Sequence, residues 1–248
     1  MSNFDGRAGV WASICANPDS GNPKWTEPRR LWHGAALNKP TVLSNGEWHL
    51  PVSIWDRVKI REMPFRDAFH ELDSYRQANV LVSTDEGASW SWRGGVRFPD
   101  PDYDEHMLIE RRDGSLWMTA RTKKSLWESF STDGARTWSK PQPSAIAHNN
   151  ARHFIRRLKS GNLLLVKHGL QTDSAPKSRT DLTAFISTDD GLSWQGGLLI
   201  DAGASISYPD GTQAPDGTLF VSYDNERGRK GEILLARFTE ADVLAGKF

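Results

Sequence analysis

The chain has 248 residues, and its 31 lysines and arginines balance 31 aspartates and glutamates, so the formal net charge is zero. A neutral chain without a basic block lacks the electrostatic signature of a protein that binds nucleic acid or an anionic membrane. Cys15 is the single cysteine, which excludes an intramolecular disulfide and a cysteine-built metal site, whereas the 11 tryptophans supply enough apolar area for a packed fold.

The N-terminal region, residues 1–32, predicts one strand at residues 9–16 followed by an irregular turn. It lacks the charged-then-apolar order of a signal peptide, and no apolar run in the chain approaches the roughly 18 residues of a membrane-spanning helix. The chain as given is therefore expected to be cytoplasmic, without a membrane partner. The sequence indicates a single domain over residues 1–248.

Four segments along the chain predict a strand, a tight turn and a second strand. The turns fall at dipeptides typical of two-residue hairpin loops, namely Asn45-Gly46, Asp113-Gly114, Ser160-Gly161 and Asp216-Gly217. Eight residues before the first residue of each turn stand Leu37, Glu105, Arg152 and Tyr208, and eight residues after it stand Ser53, Arg121, His168 and Asp224. Matched positions of one hairpin lie close together, so Glu105 is expected beside Arg121, and Tyr208 near Asp224.

An eight-residue pattern, Ser-x-Asp-x-Gly-x-x-Trp, occurs at residues 83–90 and 187–194, and a degenerate copy with its glycine one place early occupies residues 131–138. The copies start 48 and 56 residues apart, close to the period of about 40–50 residues in propeller blades. Asp and Ser side chains cap the amides of a tight turn, Gly supplies a positive φ, and Trp packs back on the hairpin. We therefore expect Asp85, Asp133 and Asp189 to be structural.

The remaining segments complete the predicted architecture. The charged stretch between Asp56 and Asn79 has no alternation and predicts a loop or short helix inserted over one face, whereas residues 232–238 predict a last strand before a short helix-compatible tail. The repeats together predict an all-β fold, a β-propeller of four-stranded antiparallel blades, with about four blades and incomplete ones in this chain. The first strand of each blade lines the central channel, so Glu105, Arg152 and Tyr208 are expected to converge at one mouth.

The three Trp-terminated patterns resemble the Asp boxes, or BNR repeats, of the sialidase (neuraminidase) superfamily. Residues 105–121 resemble the sialidase segment that runs from the glutamate partnering the nucleophile to the second arginine of the substrate-binding triad. Residues 179–187 resemble the segment with the third arginine, and Tyr208 with residues 215–224 resembles the nucleophilic tyrosine and its hairpin. The resemblance covers roughly residues 30–240 and is strongest to the sialidase-like bacterial branch.

The sequence also departs from the family pattern. The family's first triad arginine, in a Phe/Tyr-Arg-Ile-Pro motif, and its aspartate general acid/base both precede the glutamate, and neither has a match before Glu105. The resemblance implies a six-bladed propeller when complete, so the first one or two blades are expected to be absent from this chain. His106 follows the glutamate, and Tyr208-Pro209-Asp210 replaces the usual Tyr-Ser.

The resemblance implies an exo-acting glycoside hydrolase for an acidic glycan. Tyr208 would attack the anomeric carbon while Glu105 takes its proton, since a phenol with its ordinary pKa of about 10 is a poor nucleophile without a base. Arg121 and Arg179, planar and permanently charged, would hold the substrate carboxylate. Further substrate-binding candidates are Arg152, His148, Lys167, His168, Asp210, Asp224 and Arg227.

Two other functions fit the same residues. In a lyase for uronate polysaccharides, His106 with Tyr208 would abstract the C5 proton while Arg121 or Lys167 neutralises the carboxylate. In a non-catalytic glycan-binding propeller, the polar mouth would bind sugar without turnover. No spacing indicates a zinc or calcium site, no cofactor is expected, and an unpaired blade edge is compatible with a homo-oligomer.

Overall fold

The computed structural model describes residues 7–60, 66 and 69–247, in which the β-strands form five antiparallel sheets. A two-stranded sheet comes first, made of β1 (Val10–Ala12) and β2 (Arg29–Trp32). Blade 1 contains β3 (Thr41–Val42), β4 (Trp48–Ser53), β5 (Ala78–Ser83) and β6 (Ser91–Val96). Blade 2 contains β7 (Pro101–Glu110), β8 (Leu116–Thr122), β9 (Leu126–Ser131) and β10 (Gln142–Pro143). Blade 3 contains β11 (Phe154–Arg157), β12 (Leu163–His168), β13 (Thr180–Ser187) and β14 (Gln195–Ala204), and blade 4 contains β15 (Ile206–Gln213), β16 (Leu219–Asn225) and β17 (Glu232–Phe238).

The blades stand side by side in chain order. Strands that follow one another in the sequence pair within each sheet, β7 contacts β4 and β11, and β11 contacts β15. A central channel with a cavity of about 250 Å³ is lined by residues of β3, β7, β11 and β15, which are the first strands of the four blades. The prediction of an all-β propeller with about four blades is therefore confirmed.

The four predicted hairpins are present, but each turn has one residue more than expected. In blade 2, Arg111 N donates to Ser115 O (2.8 Å) and Gly114 N donates to Arg111 O (2.9 Å), so three residues lie between the last paired positions. Gly114 has a φ of 81°, the left-handed conformation that closes a three-residue hairpin loop. The other three hairpins close in the same way, at Leu43/Glu47, Leu158/Asn162 and Ala214/Thr218.

The Asp boxes are turn structures, as predicted. In the first box, Ser83 Oγ donates to Asp85 Oδ1 (2.7 Å) and accepts from Gly87 N (2.7 Å). Asp85 Oδ1 also accepts from Ser89 N (2.7 Å), and Asp85 Oδ2 accepts from Ser89 Oγ (2.6 Å). These bonds, that from the Ser89 hydroxyl above all, lower the pKa of Asp85 to about 2. The indole of Trp90 donates to Gly87 O (3.1 Å) and closes the turn.

The degenerate box at residues 131–138 folds in the same way because its length is unchanged. Ala135 stands at the position that glycine occupies in the other two boxes, donates its N–H to Ser131 Oγ (2.9 Å) and adopts a left-handed φ of 70°. Asp133 again accepts from the amide and hydroxyl of Thr137. The early glycine therefore changes which residue type stands at one position of the box, and the turn itself stays intact.

The regions outside the blades differ in part from expectation. The N-terminal region has two strands, not one, because β2 pairs with β1 and both pack on blade 1 through Val10, Leu31 and Trp32. The stretch after Asp56 contains two short 3₁₀ helices, Arg57–Lys59 and His70–Tyr75, and residues 61–65, 67 and 68 of it lie outside the described residues. At the C-terminus, β17 is followed by α1 (Glu240–Ala245), as predicted.

The core lies between the blades, and blade 4 is covered on one face. Leu219, Val221 and Tyr223 of β16 are buried against blade 3. On the opposite face, Ile233 and Leu235 of β17 are 82% and 66% exposed. None of the helices that the structure describes is long and apolar enough to cross a membrane.

Candidate active site

The centre of the candidate site is a hydrogen bond between blades 2 and 4. Tyr208 Oη donates to Glu105 Oε1 over 2.7 Å, and Glu105 is buried. Both residues have left-handed backbones, with φ of 44° at Glu105 and 54° at Tyr208, and both lie where the strand register shifts. A bulge in each inner strand re-aims one side chain toward the same point, which regular strand alternation would not allow.

Arg121 of β8 holds the glutamate from the other side. Its Nη1 donates to Glu105 Oε2 (2.7 Å) and its Nη2 to Asp102 Oδ2 (3.3 Å). Its Nε donates to Asn150 Oδ1 (2.5 Å), and the arginine side chain is 5% exposed. The predicted proximity of Glu105 and Arg121 is confirmed, and every nitrogen of this guanidinium has an acceptor.

Asp104 adds a third acidic side chain to the stretch that holds Asp102 and Glu105. It is buried, and burial raises its pKa to about 7, with a hydrogen bond to the Ser53 hydroxyl acting in the opposite direction. Near neutral pH this carboxyl is therefore protonated about half of the time.

Arg179 and Arg227 lie beside the tyrosine, in a cavity of about 440 Å³. Arg179 Nη1 donates to Ser207 Oγ (2.9 Å), and burial lowers the pKa of Arg179. The Arg227 guanidinium carbon lies 4.2 Å from the centroid of the Tyr208 ring, and its Nη1 lies 3.6 Å from Asp224 Oδ2. Burial raises the pKa of Asp224, which the two arginines partly offset.

Arg152 and Asp210 lie deeper, toward the central channel. Arg152 donates to Asn38 Oδ1 (2.9 Å), Pro209 O (2.7 Å) and Asp210 Oδ2 (3.2 Å), while Lys39 pairs with Asp210 (2.8 Å). The Arg152 guanidinium also lies 6.0 Å from the Tyr208 ring centroid. The predicted convergence of Glu105, Arg152 and Tyr208 at one mouth is confirmed, and Arg152 ties blade 3 to the strand that carries Tyr208.

The structure does not bring His106 to Tyr208. Within the bulge of β7, Glu105 and His106 point to different neighbours, and the His106 ring points toward blade 1, with its Nε2 2.8 Å from Asn79 O. Its Nδ1 lies 3.4 Å from Ser53 Oγ, and burial lowers its pKa to about 4. The histidine–tyrosine pair that a lyase would need is not formed.

His148 and His168, the other two predicted histidines, form a buried cluster with His153. The ring centroid of His148 lies 6.1 Å from that of His153 and 5.6 Å from that of His168. His168 Nε2 lies 2.8 Å from Ile206 O, and Lys167 Nζ donates to Gln171 O (2.6 Å). Burial lowers the pKa of His168 to about 4 and that of Lys167 to about 8. Among the described residues no group of histidine, cysteine and acidic side chains is arranged to hold a metal ion.

Sequence reasoning missed several residues of the site. Asn150 accepts from Arg121 through its side chain and from Arg179 through its carbonyl (3.2 Å). Lys59 forms an ion pair with Asp102 and lies 4.5 Å from the Tyr103 ring centroid. No motif marks Asn150, whereas Lys59 belongs to the inserted stretch that was expected over one face.

Comparisons with known proteins agree with this architecture. The sequence model of the BNR repeat-like domain family matches residues 5–221. Among solved structures, the intramolecular trans-sialidase of Ruminococcus gnavus, in complex with oseltamivir carboxylate, is 18% identical with a TM-score of 0.61. The NanB sialidase of Streptococcus pneumoniae is 16% identical with a TM-score of 0.63, and the Hadza microbial sialidase Hz136 is 17% identical with a TM-score of 0.64. A search of curated proteins gives no significant match.

These structures are considerably longer than the chain. The alignments cover 91%, 88% and 94% of this chain but 50%, 34% and 44% of the three structures, in the same order. The chain thus spans half or less of their length. At this level of identity the likeness is one of fold.

Proposed function

Since the chain belongs to the family of BNR repeat-like domains, we propose that it is a glycoside hydrolase that removes a terminal acidic sugar from a glycan. The observation that carries this proposal is the 2.7 Å hydrogen bond from Tyr208 Oη to Glu105 Oε1. A phenol becomes a useful nucleophile when a base lies within hydrogen-bond reach, and this tyrosine has one. Sialidases are known to use a tyrosine nucleophile instead of the usual carboxylate.

The contacts of Glu105 suit the role of base. Arg121 occupies Oε2, so that Oε1 is left to the tyrosine and the carboxylate is held in one orientation. In the first step Glu105 takes the phenolic proton, a bond forms between Tyr208 Oη and the anomeric carbon, and the bond from that carbon to the leaving oxygen breaks. In the second step water attacks the same carbon and gives up a proton to the oxygen that departed, and the phenolate leaves and takes back the proton held by Glu105.

The charges around the pair favour an acidic sugar. Arg179 and Arg227 line the cavity of about 440 Å³, and the Arg227 guanidinium stacks on the Tyr208 ring. Guanidinium groups bind carboxylates through two parallel hydrogen bonds, which fixes both the position and the orientation of the sugar. An acidic glycan is therefore the proposed partner, with no cofactor required by the two steps above.

The test is the turnover of aryl glycosides by the Tyr208→Phe variant. A 4-methylumbelliferyl glycoside of N-acetylneuraminic acid or of glucuronic acid has a phenolic leaving group, so its cleavage needs no proton donor for that group. We expect the wild type to release the fluorescent phenol and Tyr208→Phe to lose at least about 100-fold in kcat. Tyr75→Phe is the matched control, because the Tyr75 ring packs between Trp32 and Trp92.

Three outcomes separate the hypotheses. A Tyr208→Phe variant with the wild-type rate would contradict the mechanism. Binding of acidic sugars by a wild type without turnover would instead identify a glycan-binding propeller. An unsaturated uronate product, detected by its ultraviolet absorbance, would identify a lyase.

A further inference from the structure

The two bulges that aim the side chains of Glu105 and Tyr208 take main-chain groups out of the strand pairing. In blade 2 the register shift leaves Glu105 and His106 without paired residues on β8, and in blade 4 it leaves Tyr208 and Pro209 without paired residues on β16. A carbonyl that lies outside a strand ladder and away from water needs another donor, because an unpaired buried acceptor is unfavourable. The carbonyls of both bulges therefore depend on side chains from elsewhere in the molecule.

Asn38 supplies the donors for the bulge in blade 2. It is a buried residue in the linker between β2 and β3. Its Nδ2 donates to Glu105 O (3.0 Å) and to His106 O (2.7 Å), so both hydrogens of one side-chain amide bind the two carbonyls of this bulge. A left-handed backbone at a residue other than glycine persists only where the surroundings hold it, and Asn38 is the group that holds it at Glu105.

Arg152 supplies the donors for the bulge in blade 4. Its Nη1 donates to Pro209 O (2.7 Å), directly after the left-handed Tyr208, and its Nη2 donates to Asp210 Oδ2 (3.2 Å). The same guanidinium donates through Nε to Asn38 Oδ1 (2.9 Å), and its Nη2 also contacts that oxygen. The two side chains therefore form one continuous bridge between the bulge of blade 2 and the bulge of blade 4.

This Asn38–Arg152 bridge explains why a buried arginine lies beneath the site. Arg152 is 3% exposed and all three of its nitrogens donate within the protein, so none of them is left for a substrate. Among the described strands, none of blade 2 pairs with a strand of blade 4. The distance between Tyr208 Oη and Glu105 Oε1 consequently depends on groups that connect the two blades through the centre.

We propose that Asn38 and Arg152 are positioning residues that hold the two bulges so that Tyr208 Oη stays within hydrogen-bond reach of Glu105 Oε1. This inference rests on the proposed function, in which Glu105 takes the phenolic proton of Tyr208. Neither residue of the bridge touches the reacting atoms. Their effect is on geometry, and a misplacement of about 1 Å at a reacting centre can lower a rate about 100-fold.

The first test compares two asparagines that make the same kind of contact. Asn38→Ala removes both donors of the blade 2 bulge. Asn79→Ala is the matched control, because Asn79 is also buried and its Nδ2 donates to two main-chain carbonyls outside the bulges, Tyr75 O and Gln77 O (both 2.8 Å). Both variants are expected to lose stability in urea unfolding. Asn38→Ala is expected to lose at least about tenfold in kcat on the aryl glycoside with KM changed less than about threefold, whereas Asn79→Ala keeps the wild-type kcat.

Arg152→Lys tests the other half of the bridge and keeps the buried positive charge. A lysine has no planar fork and cannot bind Asn38 and Pro209 as the guanidinium does, so a similar loss of kcat is expected. Because either change breaks the same bridge, the double variant is expected to lose less kcat than the product of the two single losses. If Asn38→Ala does not fold, Arg152→Lys gives the same comparison with Asn79→Ala.

The second test does not require turnover. The chain has 4 tyrosines, so labelling with carbon-13 at the tyrosine ζ-carbon gives few NMR signals, and the signal that Tyr208→Phe removes is that of Tyr208. Glu105→Gln shows how this signal shifts when the phenol loses its carboxylate acceptor. Asn38→Ala and Arg152→Lys are expected to shift it in the same direction, and Asn79→Ala is expected to leave it in place.

The outcomes separate the positioning role from the proposed function. A wild-type kcat and an unshifted Tyr208 signal in folded Asn38→Ala and Arg152→Lys would overturn the inference and leave Tyr208-dependent hydrolysis intact. Equal losses of kcat in Asn38→Ala and Asn79→Ala, with the Tyr208 signal unshifted, would also overturn it, since the bridge would then act on stability alone. A shifted signal together with turnover that does not depend on Tyr208 would support the positioning role and refute the proposed hydrolase mechanism.

Discussion

The Asp boxes on the outer turns and the candidate active site both surround a carboxylate with hydrogen-bond donors, but the donors come from different parts of the chain. Asp85 is exposed, and its donors, Ser83 and Ser89, lie two and four residues away. Glu105 is buried, and its donors, Arg121 and Tyr208, lie 16 and 103 residues away. The first arrangement stabilises a turn that any blade can use. The second exists only when blades 2 and 4 come together, and one of its donors is a group that can react.

The largest expected difference between the two arrangements is in activity. Glu105→Gln should lower kcat on an aryl glycoside at least about 100-fold, since it removes the proposed base and keeps the volume. Asp189→Asn in the third Asp box should leave kcat unchanged and lower the free energy of unfolding by about 1 kcal/mol, as expected for a lost capping carboxylate. Steady-state kinetics and urea unfolding of both variants measure these two effects. Comparable losses of kcat in Glu105→Gln and Asp189→Asn would contradict the difference in role between the two carboxylates.

A second difference is expected in the pH dependence of stability. His106 and His168 have folded-state pKa values of about 4, below the ordinary value of 6.5. The unfolded state therefore binds more protons below pH 6.5, and stability falls as the pH drops, by about 2 kcal/mol for each of these histidines at pH 5. The raised pKa of Asp104, about 7, acts in the opposite direction and offsets about one histidine. His148 and His153, whose pKa values are also lowered by burial, add to the loss.

The Asp boxes do not contribute to the change in stability between pH 7 and pH 5. The pKa of Asp85 is lowered to about 2, so the stability that its carboxylate contributes is lost only below about pH 4. Melting temperatures at pH 7 and pH 5 should therefore differ by several degrees. His168→Gln, which keeps a donor for Ile206 O, should reduce that difference, whereas the control His70→Gln, at a position 72% exposed, should not. A melting temperature independent of pH between 5 and 7 would contradict the role of the buried histidines.

The smallest expected effect distinguishes one Asp box from another. A Cβ added at Gly191 would lie 2.7 Å from the Trp117 ring, whereas one at Gly87 would lie 3.3 Å from the Trp48 ring. Both glycines have a φ near 88°, so each alanine carries the left-handed cost of about 1 kcal/mol. Gly191→Ala should therefore destabilise by about 2 kcal/mol and Gly87→Ala by about 1 kcal/mol. Thermal or urea unfolding measures both variants. Equal losses of unfolding free energy would show that the Trp117 ring moves aside without an energetic penalty.

The elements that sequence reasoning predicted well are those whose causes are local. The hairpins at Asn45-Gly46 and Asp113-Gly114 follow from the conformations that these residues favour, although the register of pairing added one residue to each loop. The small strand β2 was missed because it is short, and its pairing with β1 is not visible in a local sequence pattern. His106 was expected at the site because it adjoins Glu105, but the face on which a side chain lies depends on the bulge at that strand.

The amino-acid sequence by itself determined the all-β propeller, its turns and the hairpin positions of Glu105, Arg121 and Tyr208, because these depend on patterns within a few tens of residues. Tertiary structure alone decided which charges are compensated. Arg121 and Arg179 are alike in sequence reasoning, yet one lies between two carboxylates and the other meets only a hydroxyl and a carbonyl. That difference arises from the packing of blades 2, 3 and 4 around one mouth, and no local pattern records it.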